Sequence, residues 1–206
     1  RTFDHNIIEE FSAAATIPVI NALTDGEHPC QTLADLQTIE ESKGSLKSVR
    51  VAYIGDGNNV AISLALGMAS TGGHLTIASP PGYVLPEKTA SDVVPLNAAS
   101  GGSLKLITDP VEAVSGADIV YTDVWTSMGQ EEERRARLEA FKGYQVNPEL
   151  LDNAPAGVCF MHDLPAHPGE EISDGLLIDP RSIAFDQAEN RLHSQAGLLH
   201  YMFTQG

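Results

Sequence analysis

The sequence predicts an α/β fold: a doubly wound parallel sheet with helices on both faces. Three observations predict it. Five short runs are almost continuously apolar, helical stretches fall between most of them, and the turns that follow the first, fourth and fifth runs are polar and glycine-bearing. Strands without in–out alternation suit a sheet covered on both faces, and their alternation with helices gives parallel order.

In chain order, residues 3–15 read as an amphipathic helix with Phe3, Ile7, Ile8 and Phe11 on one side. Ile17, Pro18, Val19 and Ile20 read as a short buried strand. Residues 21–29 are turn-rich, and Pro29 suits the first position of a helix running to about Lys43. The five strands are read at 49–54, 74–78, 104–107, 117–121 and 157–161, with helices at 59–70, 86–100 and 109–114. Glu131, Glu132 and Glu133, followed by Arg134, Arg135 and Arg137, read as a solvated helix with ion pairs at i,i+4. Residues 187–203 form a last helix with Leu192, Leu198, Leu199 and Met202 as its apolar side. No internal repeat or low-complexity linker is present.

Composition narrows the function classes. With 42% hydrophobic and 19% charged residues in a chain of 206, a packed core is expected and disorder is not. A net charge of -16, with only 12 basic residues and no run of them, argues against nucleic acid or an anionic membrane as partner. No apolar stretch approaches a membrane span. Cys30 and Cys159 form no Cys-x-x-Cys pair, and Cys159 sits in an apolar run that reads as core; a reducing cytoplasm fits them. His162 and His167 are separated by Pro165 and no His-Glu-x-x-His occurs, so no metal site is expected. His193 and His200 read as surface residues.

A doubly wound sheet binds its ligand beyond the carboxyl ends of the strands, where strand order reverses. In the usual order that point lies between the first and fourth strands, with the fifth beside the fourth. The loops there are Gly55-Asp56-Gly57-Asn58-Asn59, the segment from Asp123 to Gly129, and His162-Asp163-Leu164-Pro165. All three should converge on one crevice. Gly55-x-Gly57 resembles half of a dinucleotide fingerprint, but Val60 stands at the third glycine position. Ser79-Pro80 follows the second strand where an acid is needed, so nicotinamide is not expected.

Five motifs then occur in one order: His28-Pro29-Cys30-Gln31 with Leu33-Ala34-Asp35; Gly55 to Asn59; Asp123-Val124-Trp125-x-Ser127-Met128-Gly129-Gln130; His162-x-Leu164-Pro165; and Glu189-Asn190-Arg191. In this the chain resembles the ornithine carbamoyltransferases from about Ile17 to the last helix. The Ser-Met-Gly-Gln motif and the paired Asn58-Asn59 favour them over the related aspartate enzymes. The resemblance implies transfer of a carbamoyl group from carbamoyl phosphate to the side-chain amine of ornithine, without a cofactor. It also implies a homotrimer or an assembly of trimers.

By the same resemblance, His28 and Gln31 contact the carbamoyl group, and Arg191 reaches the carbamoyl-phosphate side. Asn59, Asp123, Ser127 and Met128 hold the amino-acid end of ornithine, and Leu164 belongs to the same substrate site. Chemically, Asn59 can donate to a carboxylate, Asp123 can accept from an ammonium, and Ser127 can do either. The plain alternatives are a helix start for His28, a helix cap for Asn58, Asp123 and Ser127, loop packing for Met128 and a surface position for Arg191. The family usually has cysteine where Asp163 stands. An aspartate there can accept a hydrogen bond or act as base, yet it also favours a charged ammonium. Asp163 is therefore read as a catalytic position with altered pH dependence.

The resemblance divides the chain into residues 1–27, a remnant of the carbamoyl-phosphate-binding domain, and residues 28–206, the ornithine-binding domain with the interdomain and C-terminal helices. The family's phosphate-binding Ser-x-Arg-Thr-Arg motif is not in the sequence, which opens on Arg1 within a helical pattern and reads as a fragment. The first and last helices are then expected to carry partly uncovered apolar faces. A carbamoyltransferase for another amine, such as putrescine, and a non-catalytic amino-acid-binding relative are the alternatives.

Overall fold

The protein is described here from a computed structural model covering residues 1–126 and 131–205. Its strands are β1 (Arg50–Ile54), β2 (His74–Ala78), β3 (Ser103–Ile107), β4 (Ile119–Thr122) and β5 (Cys159–His162). They form one sheet in the order β3-β2-β1-β4-β5, and all four pairings are parallel. Strand order therefore reverses between β1 and β4, as expected. The helices are α1 (His5–Ala14), α2 (Pro29–Lys43), α3 (Asn59–Thr71), α4 (Glu87–Ser100), α5 (Pro110–Val114), α6 (Arg134–Ala140), α7 (Pro148–Leu151) and α8 (Ala184–Gln205).

Side chains alternate across a strand, so the apolar runs supply two cores at once. Val51, Tyr53, Leu75, Ile77, Ile119, Tyr121 and Met161 pack on one face with Ile39 of α2 and Val60, Leu64 and Met68 of α3. Ala52, Ile54, Ala78, Val120 and Phe160 pack on the other with Val114, Phe141 and Leu151. Pro29 opens α2, which Gly44 closes in the left-handed conformation at φ 78° with its N–H on the Glu40 carbonyl. Asn58 caps α3 by accepting from the Val60 and Ala61 amides, as its position suggested.

Three expectations need correction. Residues 17–20 are not a strand: Pro18 has no N–H to donate, no strand pairs with the segment, and Ile17 is 72% exposed. Cys159 is only half-buried, and its sulfur accepts from Lys43 Nζ at 3.2 Å. The side of the last helix that meets α2 is polar, while Leu198 and Met202 of the expected apolar side are only half-buried. Gln187 and Asn190 are buried against α2, while Leu192 is 70% exposed. Both terminal helices do carry uncovered apolar side chains: Phe3, Ile7 and Phe11 on or beside α1, and Leu192, Leu199 and Phe203 on α8. No described helix is long and apolar enough to cross a membrane.

Gly57 is where the fold leaves no room for a side chain. A β-carbon there would lie 2.4 Å from the Leu85 backbone nitrogen, whereas one at Gly116 meets only the end of Arg50 at 3.7 Å. Gly57→Ala is expected to lower stability by about 1–3 kcal/mol through overpacking, with Gly116→Ala close to neutral. Urea midpoints of the two variants check this, and equal midpoints would refute the close approach.

Candidate functional site

The reversal point brings the three loops together. Thr122 Oγ1 donates to the Ile54 carbonyl at 2.6 Å and locks the ends of β4 and β1 side by side. Ser79 Oγ donates to the Gly55 carbonyl at 2.7 Å and fixes the start of the first loop. Across the crevice, Asn58 Nδ2 donates to Asp123 Oδ2 at 2.7 Å. The amide cap of α3 thus also holds the carboxylate that follows β4. The second oxygen of Asp123 accepts from the Val124 amide at 2.6 Å, and among the described residues no helix starts at Asp123.

The third loop leaves β5 at His162, which is fully buried. Its Nδ1 accepts from the Leu164 amide at 2.9 Å, and its Nε2 lies 3.2 Å from Glu171 Oε1. These contacts place the ring proton on Nε2. They also hold Leu164 at φ +54°, a conformation that costs a non-glycine residue about 1 kcal/mol or more. Asp163, between the two, is largely buried, with Oδ1 3.6 Å from His162 Nδ1 and the Asp123 carboxyl nearby. Burial, then the nearby Asp123 charge, raises Asp163 well above the usual carboxylate range. Burial beside a second carboxyl thus favours the protonated form of Asp163.

Arg137 is the residue that sequence reasoning missed. It is buried, not solvated: Nη1 donates to Asp56 Oδ2 at 2.6 Å and to the Trp125 carbonyl at 3.1 Å, and Nε donates to Glu133 Oε2 at 3.2 Å. The guanidinium also lies 4.9 Å from the centre of the Tyr83 ring. It therefore clamps the first loop to the second. Only the bond to Glu133, four residues away, was visible in the local pattern.

A second group of expected residues lies at the start of α2 and on α8. His28 caps no helix amide; its backbone N–H donates to Ser63 Oγ at 2.8 Å, and its buried Nδ1 has no hydrogen-bond partner. Burial, reinforced by the Arg191 and Arg1 charges, lowers its pKa from 6.5 to about 4. Gln31 bridges two groups. Its Nε2 donates to Asp35 Oδ1 at 2.9 Å, and its Oε1 accepts from Arg191 Nη1 at 2.5 Å. Arg191 is thus half-buried at the α2–α8 seam rather than on an open surface. Asn59 is engaged at both ends of its amide, donating to the Thr24 carbonyl at 2.6 Å and accepting from the Val60 amide at 3.0 Å. Ser127 and Met128 lie outside the described residues.

Other concave or charged places do not compete with this crevice. Depressions of about 360 and 290 Å³ lie at the amino edge of the sheet, the first lined by residues 151–158 and the second around Arg50 and His74. His167, Glu170 and Glu171 bring possible metal-ligand atoms within 4.8 Å of one another. Yet Arg134 already pairs with Glu170, and Glu171 accepts from the His167 amide and from His162.

Comparison with known proteins agrees with the order of motifs. Residues 47–202 match the family described as aspartate/ornithine carbamoyltransferase, Asp/Orn binding domain, and residues 1–41 match its carbamoyl-P binding domain. An ornithine carbamoyltransferase of Bacillus subtilis is 52% identical over all 206 residues, which span 65% of that protein. Among solved structures, the ornithine carbamoyltransferase from Pyrococcus furiosus superposes with a TM-score of 0.93 at 49% identity, covering 97% of this chain and 64% of that one. The enzyme from Gloeobacter violaceus gives 0.90 at 46%, covering 97% and 67%. The chain spans less than two thirds of the length of the first curated relatives it matches.

Arg137→Met is expected to cost about 3–5 kcal/mol, because it strands the Asp56 carboxylate in a half-enclosed site. Adding Asp56→Leu should restore much of that loss, and a denaturant double-mutant cycle measures it. Additive losses would show that the two residues do not act as a pair. His28 gives a second test. Its folded pKa of about 4 lies below its ordinary 6.5, so between those values the unfolded chain takes up a proton that the folded chain refuses. Its contribution to stability therefore falls as pH drops from about 6.5 to about 4. Relative to His28→Gln, the wild type should lose urea resistance between pH 7.5 and pH 5, and a constant difference would refute the buried neutral imidazole.

Proposed function

The chain belongs to the aspartate/ornithine carbamoyltransferase family, and on that premise we propose that it supplies the amino-acid site of an ornithine carbamoyltransferase. The reaction moves the carbamoyl group of carbamoyl phosphate to the side-chain amine of L-ornithine, giving L-citrulline and phosphate. The observation that carries this reading is the carboxyl pair Asp123–Asp163, buried where strand order reverses and held by the Asn58 cap. It suits a substrate bearing an amine. The printed names of the relatives support the same substrate.

In this reading Asp123 receives the α-ammonium, and Asn59 meets the α-carboxylate with its remaining amide hydrogen. Ser127, Met128 and Leu164 complete that subsite. Neutral His28 contacts the carbamoyl group through its ring in this reading, its charge suppressed by burial. Gln31 retains one amide hydrogen for the same group, and Arg191 faces the phosphate side. The neutral amine attacks the carbamoyl carbon, the carbon–oxygen bond to phosphate breaks with its electron pair leaving on phosphate, and ionised Asp163 accepts the amine's surplus proton.

Residues 1–27 fall to the carbamoyl-phosphate domain in this proposal and residues 28–206 to the ornithine domain, since α2 packs on α3 and α8. The uncovered apolar faces of α1 and α8 suit contact with further protein, in keeping with a trimeric enzyme. The unpaired thiols of Cys30 and Cys159 suit a reducing cytosol.

The test is citrulline formation from ornithine and carbamoyl phosphate across pH by the full-length enzyme that contains this site. Asp163 holds its proton above the usual carboxylate range, so it is a base only after ionising, and the rate should climb with pH above that range. Asp163→Asn should remove that limb and lower the rate by about 10²-fold or more, whereas Asp163→Cys should leave a different pH profile. Carbamoylation of putrescine but not ornithine would move the assignment to a sister activity. Ornithine binding without product at any pH would make the protein a binding module.

A further inference from the structure

We propose that Asp35 is a positioning residue of this site: its buried acceptor oxygens set the orientation of two amide side chains, Gln31 and Gln187, which between them hold Arg191 and the His162–Pro165 loop. The kinetic part of this inference rests on the carbamoyl-transfer reading; the structural part does not.

Asp35 lies on α2, fully buried, one helical turn after Gln31. Three donors converge on it from three elements. Gln31 Nε2 reaches Oδ1 at 2.9 Å, Gln187 Nε2 from α8 reaches Oδ1 at 2.7 Å, and the Tyr121 hydroxyl at the end of β4 reaches Oδ2 at 3.2 Å. Lysine and arginine make no bond to it; the nearest cation, Arg191, acts through space. Burial pushes its pKa up to about 7 against the pull of those donors.

An amide has one donating and one accepting end, so fixing one end fixes the other. Because Asp35 takes the nitrogen of Gln31, the oxygen of Gln31 must face Arg191, whose Nη1 it accepts at 2.5 Å. Because Asp35 takes the nitrogen of Gln187, the oxygen of Gln187 faces β5 and accepts the His162 backbone N–H at 2.9 Å. His162 in turn holds the Leu164 amide and precedes Asp163. One carboxylate thus orients both the cation on α8 and the loop that carries Asp163. Neither Gln31 nor Gln187 would keep its orientation without an acceptor at Oδ1, since each free amide could rotate and point its nitrogen at a donor.

Two substitutions of similar shape separate the acceptor from the charge. In Asp35→Asn the amide oxygen can take both glutamine nitrogens while its NH2 donates to the Tyr121 oxygen, so the orientations survive. In Asp35→Leu no acceptor remains. The side-chain amide protons of Gln31 and Gln187 should exchange slowly in the wild type and Asp35→Asn, and fast in Asp35→Leu, by NMR on the chain. In the enzyme assay, Asp35→Asn should keep kcat/KM for carbamoyl phosphate within about tenfold. Asp35→Leu should lose about 10²-fold, the scale set by a displaced positioning group, at temperatures where circular dichroism shows it folded. Unchanged amide exchange in folded Asp35→Leu overturns the proposal. So does an Asp35→Asn variant as impaired as Asp35→Leu, because charge and not the acceptor would then matter. A wild type that makes no citrulline refutes the reaction while leaving the amide result to decide the role of Asp35.

Discussion

Crowded negative charge is the constraint around which the carboxyl edge of this sheet is built. Asp35, Asp56, Asp123 and Asp163 are all largely removed from water within the same part of the fold, and only Asp56 has a bonded cation, Arg137. A buried carboxylate needs a counter-charge, several hydrogen-bond donors or a proton. All three solutions are in use. Arg137 neutralises Asp56, donors satisfy Asp123 and Asp35, and the raised pKa of Asp163 favours its protonated form. Each solution also joins chain segments that the sheet alone leaves apart. The bond between Arg137 and Asp56 spans 81 residues, and that between Asn58 and Asp123 spans 65.

The seam between α2 and α8 follows the same logic. Gln31, Asp35 and Thr38 recur at helical spacing on α2, and Gln187, Asn190 and Arg191 recur at helical spacing on α8. They bond across the seam: Gln31 with Arg191, Asp35 with Gln187, Thr38 with Asn190. An apolar seam would be indifferent to small rotations of α8, whereas matched donors and acceptors admit one alignment. That alignment carries Arg191 to the side of the crevice where His28 lies, which the Arg191 charge felt by His28 reflects.

These features explain what the sequence could and could not reveal. Strand positions were legible because a parallel sheet covered on both faces needs unbroken apolar runs, and the runs at 49–54 and 74–78 have no other simple reading. The role of Asn58 as a cap was legible because capping is local. Arg137 was not, because its decisive partners, Asp56 and the Trp125 carbonyl, are distant in sequence, and a Glu–Arg run looks the same on an open surface. The polar face of α8 was hidden for a related reason: periodicity marks the apolar stripe as the inward one, and here buried hydrogen bonds override it. Ile17 to Ile20 shows the reverse error, an apolar run with nothing to pair with.

Asp123 and Asp163 show how such an environment can give two identical groups different tasks. Asp123 accepts from Asn58 and from the Val124 amide. Asp163 has a side-chain oxygen with no hydrogen-bond partner and stands against a neighbouring negative charge. The donors, not the carboxyls, therefore set the two surroundings apart. In the proposed reaction the α-ammonium needs a fixed acceptor while the side-chain amine must lose a proton, and two carboxyls in different surroundings suit those two needs. Asn58, by capping α3 with its oxygen and holding Asp123 with its nitrogen, ties that division of labour to the fold of the first loop.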